Sequence, residues 1–396
     1  MSGHSRAEPV RSVGFFTPGV VVLLVIILIG AVFGVWRFLF GIGAVTNLDQ
    51  QWPWGLWIAV DVAGGVALAA GGFTTGALVY IFHRDLYHPL MRPALLTAML
   101  GYAFVALGLT FDLGRYYNVW HPIFMWQGNS VLFEVGICVV CYLIVLCLEF
   151  APIVLERLKE GSDLPGPLKL ASRFARTRIV AAMVDLADRV LGKVMFVFII
   201  LGVVLSSLHQ SSLGALMLIA PTKMHPLWYT PISPLLFLSS AIAVGLPMVA
   251  LESLVASRSF KRPVEMNLLG PLARNIPILL GIYMFLKIGD MAIRDTWVYL
   301  SDGSLQSTMF LIEMGLGVML PFILIMFDRV RLSPAGLFVA SSLIVGGVAL
   351  NRVNVFLIAY SPPYSKVPYF PAVGEFAITA ALICALILVY RFVALN

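Results

Sequence analysis

Charged residues make up only 12% of this 396-residue sequence, against roughly a quarter in soluble domains. With 60% of residues hydrophobic, that deficit excludes a soluble globular domain and implies a polytopic membrane protein. Cysteine is scarce too, with four in the chain. Cys138 and Cys141 form a C-x-x-C, but they sit in an apolar helical run and no second pair completes a zinc or iron–sulfur set, so they read as packing thiols. The six histidines, His4, His83, His88, His121, His209 and His225, all fall at expected helix ends or in loops. None is placed mid-membrane, where a bis-histidine haem would need two facing each other. No C-x-x-C-H, Walker or dinucleotide motif occurs. The expectation is therefore no haem and no metal of its own, and any redox role must borrow electrons from a partner. The net charge of +6 does not point to nucleic acid, because the basic residues lie between apolar spans rather than in a stripe.

What is present is a series of apolar windows of about 20 residues, each long enough to cross about 30 Å of hydrocarbon. Ten are expected, near 15–41, 54–82, 92–114, 129–156, 191–208, 233–256, 272–295, 306–328, 334–352 and 371–394. The first is too long for a signal-peptide core and carries no small-x-small cleavage pattern, so it reads as a retained helix. The fold class is all-α, since only helices or closed barrels satisfy their own backbone in lipid. The whole chain reads as one membrane domain. Spans two to five (about 54–208) and six to nine (about 233–352) would form two four-helix bundles, flanked by spans one and ten. No 20–50-residue repeat is visible.

Lys and Arg set the orientation. With the N-terminus inside, 19 of the 26 fall on inner segments, so the positive-inside rule places both termini in the cytoplasm. The long inner connection, 157–190, alternates basic and apolar residues at helical spacing and suggests an interfacial amphipathic helix. The outer loops are aromatic, proline-punctuated and poor in charge, which suits headgroup anchoring and also docking of another protein.

Polar residues of spans two to five gather at that outer side. Asp61 lies about 10 Å inside span two. Asp112 and Arg115, at the end of span three, are spaced as neighbours on one helical face. Asn129 and Glu134 open span four, and His209 and Gln210 close span five. An ion pair at a helix end and a capping histidine would account for any one of these singly. A group of acids, an arginine, amides and a histidine at one depth suits proton-coupled chemistry on a lipid-soluble quinone, whose two carbonyl oxygens need donors and whose protons need a titratable relay. Asp61, Glu134 and Glu149, the last about 22 Å further along span four, could carry protons between the faces. Gly64, Gly65, Gly71, Gly72 and Gly76 would admit a flat ring or simply another helix. A second polar set comprises Glu252, Lys287, Asp290, Arg294, Glu313, Arg352 and Glu375.

The strings WPWGLWIAVD (52–61), YHPLMRPALL (87–96), FDLGRYYN (111–118), NSVLFE (129–134), LEFAP (148–152), LHQSSLGALM (208–217) and HPLW (225–228) resemble the NrfD/PsrC (polysulfide reductase membrane subunit) superfamily, within it most closely the HybB-type integral subunit of nickel–iron hydrogenase 2. The resemblance implies a haem-free, multi-pass subunit of the bacterial cytoplasmic membrane, catalytic only within a complex. It would pass electrons between a periplasmic four-cluster, ferredoxin-like iron–sulfur subunit, itself joined to a catalytic subunit pair, and menaquinone or ubiquinone, with proton translocation as an added option. It implies a quinone pocket near the outer face of the first bundle, built here from Asp112, Arg115, Asn129, Glu134, His209 and Gln210. A secondary transporter and a purely structural anchor are the alternatives. The transporter would place its site near the midplane, within inverted repeats and broken helices.

Overall fold

The computed structural model describes residues 13–159, 178–365 and 367–395. Among them are ten helices long and apolar enough to cross a membrane: α1 Pro18–Phe40, α2 Trp57–Ile81, α3 Asp85–Asp112, α4 Val131–Arg157, α5 Ala181–Ile219, α6 Ser233–Ser259, α7 Met266–Ile293, α8 Leu305–Met326, α9 Pro334–Ile358 and α10 Val373–Leu395. The chain is a multi-pass membrane protein. Among the described residues it has no strand, only an isolated bridge between Met224 and Tyr360.

α2 is the axis of the assembly: 78% of its apolar window is buried, against 17% for α1. It touches α3, α5, α6, α9 and α10. Its glycines explain the close approach. A Cβ on Gly72 would lie 2.5 Å from that of Ala98 on α3, and one on Gly71 would lie 2.9 Å from Val249 on α6. Small residues let helix backbones meet where lipid supplies no hydrophobic drive, so these two glycines serve helix packing. Elsewhere α6 packs on α5, α7 and α9, α4 packs on α3 and α5, and α1 pairs with α10, which rests on α3. At the crossing of α8 and α9 a Cβ on Gly317 would lie 2.5 Å from the Gly347 Cα. Among the described residues four wide π-type turns interrupt the helices, at Trp57–Gly64, Ala77–Ile81, Gly315–Met319 and Asn354–Ile358.

The largest departure from the sequence reading is at α5. α5 was expected over 191–208, but helix begins at Arg178 and continues to Ala215, with a 3₁₀ turn to Ile219. The expected interfacial helix is therefore, over 178–190, the first part of α5. Lys159 at the end of α4 ties it down through Asp185 (3.0 Å) and Asp188 (2.7 Å). Residues 160–177 of that connection, with His4, Arg6, Arg11 and Lys366, lie outside the described residues.

One face of the bundle carries the connections 41–56, 113–130, 220–232, 294–304 and 359–372 and is here termed the aromatic face. The other, the basic face, carries the connections rich in Lys and Arg. On the aromatic face three loops knit together. His225 N donates to Ala359 O (2.8 Å) and Ser361 N to Lys223 O (2.7 Å), while the Trp52 indole donates to Ser365 Oγ (2.8 Å) and stacks on Tyr369. The 113–130 loop instead presents Tyr117, Trp120, Phe124 and Trp126 outward.

Candidate functional site

The expected site residues divide into two groups. The first lies between α3, α4 and α5. Ser206, His209 and Ser212 are three residues apart, so they line one face of α5, and all three are buried. Ser212 Oγ donates to Glu134 Oε1 on α4 (2.5 Å). His209 Nδ1 meets the Tyr102 hydroxyl of α3 (3.2 Å), and Tyr102 packs edge-on against Tyr142 of α4, ring centroids 4.5 Å apart. Ser206 lies beside both tyrosine hydroxyls. One turn further along, Glu149 of α4 packs on Gly202, whose Cβ would stand 2.4 Å from Glu149 Oε1. A polar stripe thus follows α5 for about 15 Å, from Gly202, beside Glu149, to Ser212, bonded to Glu134. The longer α5 corrects the placement of His209, which is not a helix-end cap but fully enclosed. Its Nε2 has no partner, nor does Oε1 of Gln210, whose amide nitrogen donates to Val66 O of α2 (2.8 Å). Buried polar atoms are nearly always paired, so these two atoms are free to bond to a further group.

The second group lies where α10 meets α2 and α3. Asp61 accepts from Thr379 Oγ1 (2.8 Å). Asp112 lies in the field of Glu375, Asp61 and Arg37, and its Oδ1 is buried without a partner. Glu375 is fully buried and accepts from the Ala372 amide (2.9 Å), the Asn47 amide (3.3 Å) and the Tyr369 hydroxyl. Burial and the Glu375 carboxylate hold the Tyr369 phenol above its ordinary range, so it remains a donor.

Asp112 and Arg115 do not share a helical face. Helix α3 ends at Asp112, and Leu113 turns to extended backbone (φ −68°, ψ 118°), which carries Arg115 into the exposed loop. The buried arginine here is Arg37 of α1, which donates to the terminal carbonyls of α3, Phe111 O (2.8 Å) and Leu113 O. A cation at a helix C-terminus is favoured by the unpaired carbonyls and the helix dipole. Asn129 is exposed, two residues before α4. Of the residues expected together, the structure brings Glu134, His209 and Gln210 to α5 and its neighbours, sets Asp112 with Asp61 and Glu375, and leaves Arg115 and Asn129 on the surface. Tyr102, Tyr142, Ser212 and Arg37 were missed; the i, i+3 spacing of Ser206, His209 and Ser212 was the available signal for the stripe.

The second polar set forms its own interior network. Glu313 of α8 accepts from Trp228 Nε1 (2.9 Å), Asn351 Nδ2 (2.7 Å) and Asn354 Nδ2 (2.8 Å). Asn351 Oδ1 accepts from Arg352 Nη1 (2.6 Å), and Arg352 stands 3.9 Å over the Phe237 ring. Asp290 and Arg294 form a bidentate pair (3.0 and 2.6 Å), the self-neutralised couple their spacing suggests, while Lys287 donates to Leu227 O (2.7 Å). Glu252 accepts from Tyr390 of α10 (2.7 Å) near the basic face.

Comparison with known proteins adds lineage to this geometry. The chain is 39% identical over 390 residues to a protein of Nitratidesulfovibrio vulgaris, covering 96% of this chain and 93% of that one. It is 34% identical over 402 residues to the probable Ni/Fe-hydrogenase 2 b-type cytochrome subunit of Escherichia coli K12, covering 99% and 93%. A third relative, the integral membrane subunit of menaquinone reductase from N. vulgaris, is 32% identical over 176 residues, 44% of this chain and 37% of that one. Residues 44–361 match the polysulphide reductase NrfD family, and the chain belongs to it.

Proposed function

We propose that the protein is the quinone-reactive membrane subunit of a respiratory oxidoreductase complex, with the quinone head group held beside the α5 stripe. The observation that carries this reading is His209: buried, anchored through Nδ1 to Tyr102, with Nε2 unpartnered. A quinone offers a carbonyl to a donor, and reduction delivers a proton to it. Glu134, through Ser212, and Glu149 at the far end of the stripe are the proton carriers of this reading. Asp112 and Asp61, with Glu375, form a second acidic group at α10 that can serve the same relay. Arg115 and Asn129 act at the mouth, where headgroup and partner meet. Relatives named for menaquinone reductase and hydrogenase support the substrate and complex classes; menaquinone and ubiquinone both fit this chemistry.

In this reading the basic face is cytoplasmic, a placement the distribution of Lys and Arg supports, and both termini lie there. The aromatic face then meets the periplasm and receives an iron–sulfur subunit on Trp120, Phe124 and Trp126, large apolar side chains left exposed beyond the spans. The E. coli relative carries a b-type cytochrome name, but a bis-histidine haem needs two inward ligands. Among the described residues His209 is the single buried histidine within a span, so those residues offer no facing pair and the reading routes no step through haem.

The test is Glu134→Gln in the purified complex. Quinone-linked turnover is expected to fall by about 10²–10⁴-fold, the usual weight of a positioned proton carrier, with all subunits still copurifying. Unchanged turnover overturns the assignment.

A further inference from the structure

On the basic face, well away from the α5 stripe, a cavity of about 490 Å³ opens between the two halves of the chain. Three separate connections build it. The α2–α3 turn supplies Arg84, the first part of α7 supplies Arg274, and the α8–α9 turn supplies Arg331 and Asp328. Arg331 is paired with Asp328, and its side chain is largely covered while the aspartate is exposed. No described residue pairs with Arg84 or Arg274, so the lining holds two positive charges in excess. α7 breaks here, and its second segment, Ile276–Ile293, starts from Asn275, itself part of the wall. That start adds the positive end of a helix dipole. Leu78 and Leu332 complete the lining with apolar surface.

Guanidinium forks match the tetrahedral oxygens of phosphate in a way that a single ammonium does not. The cavity lies where helices end, at headgroup depth, and its apolar side can take the start of an acyl chain. We propose that it is a phosphate-binding site joining the two halves of the protein, filled by the phosphodiester of an acidic phospholipid or by a soluble phosphate group. Basic pockets between spans on this kind of face recognise such head groups.

The experiment titrates the purified, detergent-solubilised complex with phosphatidylglycerol and, separately, with inorganic phosphate, reading the thermal unfolding midpoint and the bound lipid in native mass spectra. A saturable rise in midpoint with either titrant is expected for the wild type; the titrant that produces it identifies the source. In R84Q/R274Q the half-saturating concentration should rise about tenfold or more, the weight of a lost charge-assisted contact. R84K/R274K should recover part of it, and Arg262→Gln, an exposed arginine on the same face outside the cavity, should leave it unchanged. If the double variant fails to fold, R84Q and R274Q singly should each show the weakened response. The proposal is overturned if neither titrant acts on the wild type, or if R84Q/R274Q, or both single variants, respond as the wild type does.

Discussion

Replacing His209 by Phe separates a packing role from a chemical one. In the wild type the imidazole is fully buried with Nε2 unpartnered, and an orphaned buried polar atom costs about 1–3 kcal/mol. Phe removes that orphan but leaves the Tyr102 hydroxyl without its partner, a cost of about the same 1–3 kcal/mol. The ring exchange adds a small overpacking cost, since Tyr102 and Tyr142 stand close; filled cores resist extra volume by about 1 kcal/mol or more. These contributions nearly cancel, so denaturant unfolding in detergent should shift by no more than about 2 kcal/mol. Quinone-linked turnover should nevertheless fall by about 10²–10⁴-fold, because the group proposed to meet the substrate carbonyl is gone. Turnover with a dye that takes electrons directly from the catalytic subunits should be untouched. His209→Gln keeps a hydrogen-bonding amide there and should recover part of the quinone rate. If H209F loses stability by well over 3 kcal/mol while each folded complex still turns over quinone at the wild-type rate, the histidine is structural and the reasoning fails.

Glu313→Leu strands three buried donors and removes the carboxylate nearest Arg352, which should cost about 3–5 kcal/mol. Glu313→Gln should cost about 1–3 kcal/mol, because its amide faces Asn351 Nδ2 and Asn351 cannot turn without releasing Arg352. Equal unfolding curves for the two variants would refute this. Outside the spans, burial pushes the His225 imidazole below its ordinary 6.5, with Asp302 opposing. The unfolded chain therefore takes up that proton first, and stability should decline as pH falls from 6.5 toward the folded value, then level off. His225→Gln should flatten that part of the stability–pH curve, measured by unfolding at several pH values; an unaltered slope would count against the assignment.

Ten spans were legible because the hydrocarbon thickness fixes helix length and leaves apolar runs of that length as the only solution. The end of α5 was not, because the polar string His209-Gln210-Ser211-Ser212 reads as a loop until its partners are known. Glu134, Tyr102 and Val66 O come from three other helices, and no local pattern announces them. Asp112 and Arg115 misled for the opposite reason. Their i, i+3 spacing matters only if the helix continues, and it ends at the aspartate. Glu375 was visible as a buried acid, but its approach to Asp112 depends on α10 resting on α3, a long-range packing choice absent from any window of sequence.

The distribution of interior charge separates the two halves by what they can do. In the second half Asp290 is held by Arg294, and Glu313 by three donors, one of which, Asn351, also holds Arg352. Paired charges of this kind fix a structure, because removing either partner leaves the other stranded. In the first half and against α10, Asp61, Asp112, Glu134 and Glu149 answer to hydroxyls, glycine and one arginine that is already engaged with helix carbonyls. Acids in hydrocarbon without bases can be balanced only by protons, and such residues mark a pathway rather than a brace. Charge balance therefore favours the proposed proton handling on the α2–α5 side, which is also the side that carries the unpaired atoms of His209 and Gln210, and leaves mechanical support to the α6–α9 side.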